Sequence, residues 1–345
     1  MRTSQTTSRS DWVSAAGTSR LSGAHLEDRG ATAVSIIILT RSQPEILPGC
    51  VASCLQELKA GHLSGEIILV DNASTDGTPQ RVATQFPAVH VIRNEENQSF
   101  SAGNNQGIRA SRGRSVLILN DDAILGDGSL RLMFDTLSSS PTIGAVGPKL
   151  INPDGSPQRG YSHRRFPRFR SLVCGLLGLN PWLEKRSWTR DLLTHSFDPE
   201  RSGESEHLAA ACLLARRAAL EAVGLFDETY FYWMEDVDLC YRLKQQGWKM
   251  VYIAEACVTH HGSASLAALL SAERRMLSIR ALIYYYKQHK NFLAYVLLKL
   301  IVGCILLVYG LLDLLAAMRY RGPGLREWAQ AAKASLRDLR AVLWG

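Results

Sequence analysis

Up to His260, short apolar runs recur along the chain and each stops abruptly at a polar cluster. The run over 34–39 (VSIIIL) is uninterrupted and rich in β-branched residues, the pattern of a strand buried on both faces. A helix is predicted over 44–60, closed by Gly61. A second buried strand over 66–70 ends in the turn-forming Asp71-Asn72-Ala73-Ser74-Thr75-Asp76-Gly77. A short helix over 78–85, a strand over 89–93, a helix over 101–111 and a strand over 116–119 continue the alternation. Such alternation predicts an α/β fold with a doubly wound, mostly parallel sheet and ligands outside the carboxyl ends of its strands.

Beyond Lys149 the regularity fades. Residues 152–170 read as a loop rich in Pro, Gly and Arg. A strand over 207–215, a helix over 217–223 stopped by Gly224, an amphipathic helix over 237–246 and a strand over 250–253 follow. The stretch 291–318 differs in kind, being apolar except for Lys299 and Asp313. It is long enough to cross about 30 Å of hydrocarbon if Lys299 snorkels, or to lie in a membrane interface, the alternative being a buried helix of a soluble core.

Composition sharpens this organisation. With 345 residues, 46% of them hydrophobic, the chain has room for one sizeable domain and an added element. The formal net charge of +7 is concentrated after residue 265, where twelve Lys or Arg face four acidic residues. A basic segment around an apolar one suits an anionic membrane surface, and no nucleic-acid-binding motif accompanies it. Residues 1–33, rich in Ser, Thr and Arg and without an apolar signal-like run, are expected to be a disordered leader. Seven scattered cysteines without a CxxC are expected to be reduced. The division is therefore a leader (1–33), an α/β domain (34–265) and a basic, apolar helical segment for membrane association (266–345). The expected location is the cytoplasmic face of the cell membrane.

Three acidic clusters sit beside apolar strand-like runs: Asp71, Asn120-Asp121-Asp122 and Glu235-Asp236-Val237-Asp238, with His260 downstream. Carboxylates at the ends of buried strands cost desolvation and add no packing. They suit a crevice that holds a divalent cation, a ribose and a reacting hydroxyl. The pattern points to transfer chemistry on a metal-bound diphosphate.

In order and spacing, the stretches VSIIILT, ILVDNASTDGT, VIRNEENQSFSAGNNQGI, VLILNDDAIL, GLFDETYFYWMEDVDLCYRLKQQGWK and VTHHGSAS resemble the family 2 glycosyltransferases of the GT-A fold. Within that family the likeness is to bacterial rhamnosyltransferase-like enzymes of cell-surface polysaccharide synthesis, and it covers 34–265. The resemblance implies that Asp71 accepts a hydrogen bond from the nucleotide base of a nucleotide-diphospho-sugar donor. It implies that Thr40, Gly103, Asn104 and Asp121 line the same donor site, the glycine by letting backbone approach the nucleotide. Asp122, the last carboxylate of the DxD-like cluster, is expected to ligate Mg²⁺ or Mn²⁺ on the donor diphosphate, with His260 as second ligand; the adjacent His261 is an alternative. Asp236 is expected to be the general base, and Asp238 a helix-start acid. Asn120 stands where the family usually has its first Asp. The Gln-x-x-Arg-Trp element of processive synthases is missing at Gln245-Gln246-Gly247-Trp248, which favours addition of one or a few sugars.

The function implied is inverting, metal-dependent transfer of a sugar, rhamnose from a dTDP donor foremost, to a lipid-linked or polysaccharide acceptor. Tyr232 and Trp233 are placed to stack on an acceptor sugar or to join the core. Arg159, Arg164, Arg165, Arg168 and Arg170 offer either a diphosphate site or a solvated basic loop. The alternative is a catalytically inactive, membrane-tethered nucleotide-sugar-binding partner in an assembly. A nicotinamide oxidoreductase lacks its GxGxxG turn here. Oligomeric state has no signature in the sequence.

Overall fold

The computed structural model describes residues 32–158, 165–169, 172, 198–262 and 271–319. The leader up to residue 31, Arg159, Arg164, Arg170 and everything after residue 319 lie outside the described residues. In chain order the elements are β1 (Val34–Thr40), α1 (Leu47–Ala60), β2 (Gly65–Asn72), α2 (Thr78–Gln85), β3 (Val89–Asn94), α3 (Phe100–Ala110) and β4 (Ser115–Asn120). There follow β5 (Ala123–Leu125), α4 (Ser129–Ser138), β6 (Ile143–Ile151), β7 (Gly203–Ser205), β8 (Cys212–Arg216) and α5 (Arg217–Ala222). The last are α6 (Glu235–Gln245), β9 (Lys249–His260), α7 (Ser271–His289) and α8 (Phe292–Arg319).

One sheet runs β3-β2-β1-β4-β8-β6-β9-β5, with β7 added to β9. Its first four strands are parallel, as the alternation predicts. The second half is mixed. Strand β8 runs antiparallel to β4 and β6, β6 pairs β9 in parallel, and β5 and β7 oppose β9. The expectation of a mostly parallel sheet is corrected to this mixed one. Its physical cause is that the chain re-enters beside β4 at that strand's carboxyl end, where the Asn120 N–H donates to Ala211 O at 2.9 Å.

The apolar runs are continuous because both faces of the sheet are covered. Ile37, Ile68, Val70 and Ile118 face a core completed by Ile108 of α3, Leu239 and Leu243 of α6, and Tyr285 of α7. Ile36, Ile38, Ile67, Leu69 and Leu117 face the opposite core, closed by Val51 and Cys54 of α1 and Leu130 and Met133 of α4. The strand expected over 207–215 begins only at Cys212, since residues 206–211 leave the sheet to pass along α6. Strand β6 lacks a strand-like reading because Gly144, Gly147 and Pro148 interrupt it. Those two glycines make room for Trp248 and Leu208, against which a Cβ would press.

The α7–α8 hairpin packs on the α6 side of the sheet. His289 Nε2 lies 2.6 Å from Asp238 Oδ1, and Tyr284 Oη donates to Asp227 Oδ2 at 3.0 Å. Leu298, Val302 and Leu306 of α8 are buried in the same core, whereas Leu293, Leu300, Leu307, Val308, Leu311 and Leu315 are exposed. Among the described residues no helix is long and apolar enough to cross a membrane. No disulfide joins the described cysteines, and Cys50, Cys54, Cys212 and Cys240 are buried thiols.

Candidate active site

Strand register alone brings most of the expected residues to one edge. Thr40 stands opposite Asp71, Asp71 opposite Arg93, and Leu39 opposite Asn120. Across the sheet, the short β5 pairs with the end of β9 so that Ala123 faces His260. Asp122 and His260, far apart in the chain, therefore meet.

His260 Nε2 lies 3.2 Å from Asp122 Oδ1, and both side chains are buried. The ring is held from behind, because Nδ1 is 2.8 Å from Gln158 Oε1. Gln158 Nε2 in turn donates to His260 O at 2.6 Å and to Asn152 Oδ1 at 2.8 Å. The Asn120 Nδ2 amide, which can only donate, faces His260 Nε2 at 3.2 Å. The proton then sits on Nδ1, and the Nε2 lone pair turns toward Asp122, whose own Oδ1 is buried without a hydrogen-bond partner among the described residues. Two acceptors facing each other inside a protein are costly unless a cation lies between them. Carboxylate oxygen and neutral imidazole are a fitting pair of ligands for Mn²⁺. Among the described residues no three His, Cys, Asp or Glu side chains gather as a complete metal cage. Two protein ligands match a cation that shares its shell with phosphates and water. His261 is exposed, and only its main-chain N–H touches the site, donating to Asp122 O at 3.0 Å. Of the two histidines, His260 is the one built into it.

Asp236 opens α6, where the helix dipole favours a carboxylate. Its Oδ1 accepts the Val237 N–H at 2.8 Å, and its Oδ2 faces the Ala210 N–H at 3.4 Å. Since Ala211 O takes the Asn120 N–H, two successive residues tie Asp236 to the end of β4. The approach to α6 is strained. Trp233 and Met234 both adopt left-handed backbone, at φ 63° and 70°, a conformation that bulky side chains rarely hold outside functional turns. Burial, and then the charge of Asp236, push the Glu235 carboxyl up to about 8. Its Oε2 is sealed from solvent and has no hydrogen-bond partner among the described residues.

At the nucleotide edge, Asp71 is fully buried. Its Oδ1 accepts the Ser74 N–H at 3.0 Å, closing the turn, and its Oδ2 lies 3.4 Å from Arg93 Nε. Burial pushes the Asp121 carboxyl up to about 7; the Thr40 hydroxyl pulls it down, Asp122 raises it and the Arg41 N–H lowers it. The half-buried Tyr232 phenol lies in the fields of Arg41, Glu235 and Asp121, which links the α6 approach to the β4 end. Gly103 stands where a Cβ would collide with Leu39 of β1. Its missing side chain lets α3 sit close on the sheet. Asn104 is buried with Nδ2 donating to Phe100 O at 3.0 Å and Oδ1 unpartnered among the described residues. Asp238 does more than start a helix, because it is clasped by Arg242 at 2.6 Å and by His289. Of the basic loop, Arg165 and Arg168 are described, and Arg168 faces Glu206 at 3.6 Å.

Two contributors carry no sequence signal. Gln158 lies at the start of an irregular loop, and His207 lies where a strand was expected. The His207 Nε2 is 3.2 Å from Asp236 Oδ2. Nothing in their immediate neighbours marks either one.

Comparison with known proteins places the chain among glycosyltransferases. The family model described as "Glycosyltransferase like family 2" matches residues 31–277. The N-acetylglucosaminyl-diphospho-decaprenol L-rhamnosyltransferase of Mycobacterium tuberculosis (strain ATCC 25618 / H37Rv) is 37% identical over 217 residues, covering 58% of this chain and 67% of that protein. The low-salt glycan biosynthesis hexosyltransferase Agl10 of Haloferax volcanii is 27% identical over 185 residues, 52% of this chain and 54% of its own. Among solved structures, the mannosyltransferase PcManGT from Pyrobaculum calidifontis, in complex with GDP-Man and Mn²⁺, superposes with a TM-score of 0.52 at 17% identity. That alignment covers 90% of this chain and 87% of the other, and it shows a shared GT-A-like fold.

Proposed function

Because the chain belongs to glycosyltransferase family 2 and is a glycosyltransferase, we propose that it transfers rhamnose, with inversion and metal dependence, from a nucleotide-diphosphate donor to a lipid-linked glycan acceptor. The observation that carries this reading is the buried Asp122–His260 pair at 3.2 Å, set on the sheet edge to which Asp236 is tied. The 37% identical mycobacterial relative, by its name a rhamnosyltransferase acting on a diphospho-decaprenol, supports the choice of sugar and acceptor class.

Asp122 and His260 would hold the cation, and a bound divalent cation stabilises negative charge gathering on the leaving diphosphate. Asp71 and Arg93 receive the nucleotide at the carboxyl ends of β2 and β3. The half-buried aromatics Tyr232 and Trp233 flank the approach to the base and exclude water from it. Asp236 takes the proton of the acceptor hydroxyl. The hydroxyl oxygen bonds to the anomeric carbon from the face opposite the diphosphate. The carbon–oxygen bond to the diphosphate breaks, and its electron pair leaves with the nucleotide. One displacement inverts the centre.

We extend the reading to location: the exposed apolar row of α8, beside Lys290 and Lys299, rests on an anionic membrane surface at the cytoplasmic face. Amphipathic burial of this kind brings the enzyme to a lipid-linked acceptor without a membrane crossing.

The deciding experiment compares wild type with Asp236→Asn, using dTDP-rhamnose, Mn²⁺ and an N-acetylglucosaminyl-diphospho-polyprenol acceptor. Transfer is expected to fall by about 10²–10⁴-fold while donor binding, read by thermal shift with Mn²⁺, persists. Undiminished turnover in that variant would refute the assignment of the base.

A further inference from the structure

The segment between β7 and β8 carries a buried histidine that the reaction described so far leaves unused. His207 is 2% exposed, and its main chain is locked to Ser205, whose Oγ accepts the His207 N–H at 3.2 Å and donates to His207 O at 2.7 Å. The next residue fixes the segment on α6, with the Leu208 N–H donating to Cys240 Sγ at 3.5 Å. The ring thus arrives beneath the first turn of α6 with Nε2 at 3.2 Å from Asp236 Oδ2. Asp236 is 22% exposed at its side chain and His207 only 3%, so the carboxylate meets the pocket on one side and the imidazole on the other.

We propose that His207 is a positioning residue for Asp236, a buried imidazole whose Nε2–H holds Oδ2 and keeps the carboxylate ionised and aimed at the acceptor hydroxyl. The proposal rests on Asp236 being the general base.

Tautomer chemistry supports it. A proton on Nδ1 would leave the Nε2 lone pair against a carboxylate, whereas a proton on Nε2 turns the contact attractive. Nδ1 is sealed from solvent and has no hydrogen-bond partner among the described residues. A buried polar ring with no second partner is costly, and among the described residues Asp236 is the group whose contact compensates it. The Nε2 contact is short but not aligned as a hydrogen bond. Catalytic contacts commonly tighten only when substrate is bound.

Other charged groups around the pair are accounted for. Glu206, next to His207, is faced by Arg168 and Lys244, and Asp238 is held by Arg242 and His289. Glu235 shares the first turn of α6 with Asp236, and the Cys240 thiol, pushed up to about 12 by burial, lies one turn on. The imidazole N–H is the donor that faces Oδ2 alongside the Ala210 amide.

The test is a pH series from about pH 5 to about pH 9 on the full chain, with His207→Phe, His207→Gln and Asp236→Asn, using the donor and acceptor named above. His207→Phe is expected to lower kcat by about 10–100-fold with donor KM nearly unchanged, and to move the acidic limb of the rate profile upward by about one pH unit. His207→Gln, whose amide can still donate to Oδ2, recovers part of both. A wild-type limb in His207→Phe, or a glutamine variant no better than phenylalanine, overturns the proposal. Should His207→Phe fail to fold, the limb of His207→Gln decides alone: displaced, it supports the proposal; unmoved, it overturns it. Asp236→Asn separates the two levels. If it turns over normally the base itself is misassigned, whereas an inactive Asp236→Asn beside an unmoved limb in the His207 variants sinks only the role of His207.

Discussion

Gln158 Oε1 accepts a hydrogen bond from His260 Nδ1–H and thereby aims the other ring nitrogen at Asp122, a task for which leucine has no acceptor. Gln158→Leu is expected to weaken Mn²⁺ binding by about 10–100-fold, measured by metal titration of the melting temperature, with the fold retained. Glu235 gives a second prediction. Its folded-state carboxyl is raised from 4.5 to about 8, so the stability it contributes is full below about pH 4.5 and is lost as pH rises through 8. Glu235→Gln carries no such loss. Its stability advantage over wild type should open across that window to on the order of 1–3 kcal/mol, by denaturant unfolding at each pH. Asp71, Asp122 and Asp236 could be picked out from the sequence because a carboxylate ending an apolar run is a local anomaly. Gln158 and His207 could not, because their partners lie 102 residues away in one case and across a sheet-to-helix packing in the other.

Among the elements, α6 is the one on which most depends, and Asp238 anchors it. This carboxylate is buried between Arg242 and His289, so Asp238→Ala would leave the Arg242 guanidinium and the His289 ring without their shared acceptor. A loss of about 3–5 kcal/mol is expected in chemical denaturation, with α7 detaching as the hairpin's tie is cut. Such a clasp was invisible to periodicity, which registers only that Asp238 sits early in a helix. The parallel half of the sheet was legible for the opposite reason. Each of β1, β2 and β4 is buried on both faces, and double burial writes an unbroken apolar run into the chain. In the returning half, β5 and β7 have only three residues each and β6 is broken by glycines, so no run is long enough to read.

For the molecule as a whole, the exposed leucines of α8 and the basic excess after residue 265 belong together. Co-sedimentation with phosphatidylglycerol vesicles is expected to capture the full chain, and replacing Leu300, Leu307 and Leu311 by Gln should cut the bound fraction several-fold at unchanged melting temperature. Raised salt should loosen, without abolishing, the attachment of wild type. Full binding by the triple variant would refute the role given to α8. The clasp between His289 and Asp238 carries one more consequence. It sits two residues from Asp236, and only residues 290 and 291 separate α7 from α8, leaving almost no slack between the first turn of α6 and the hairpin. With α8 resting on a membrane surface as proposed, its plane would set the altitude of the site above it, and the enzyme would act as a gauge that admits sugars carried a set number of ångströms from their anchor and passes over those held nearer or farther.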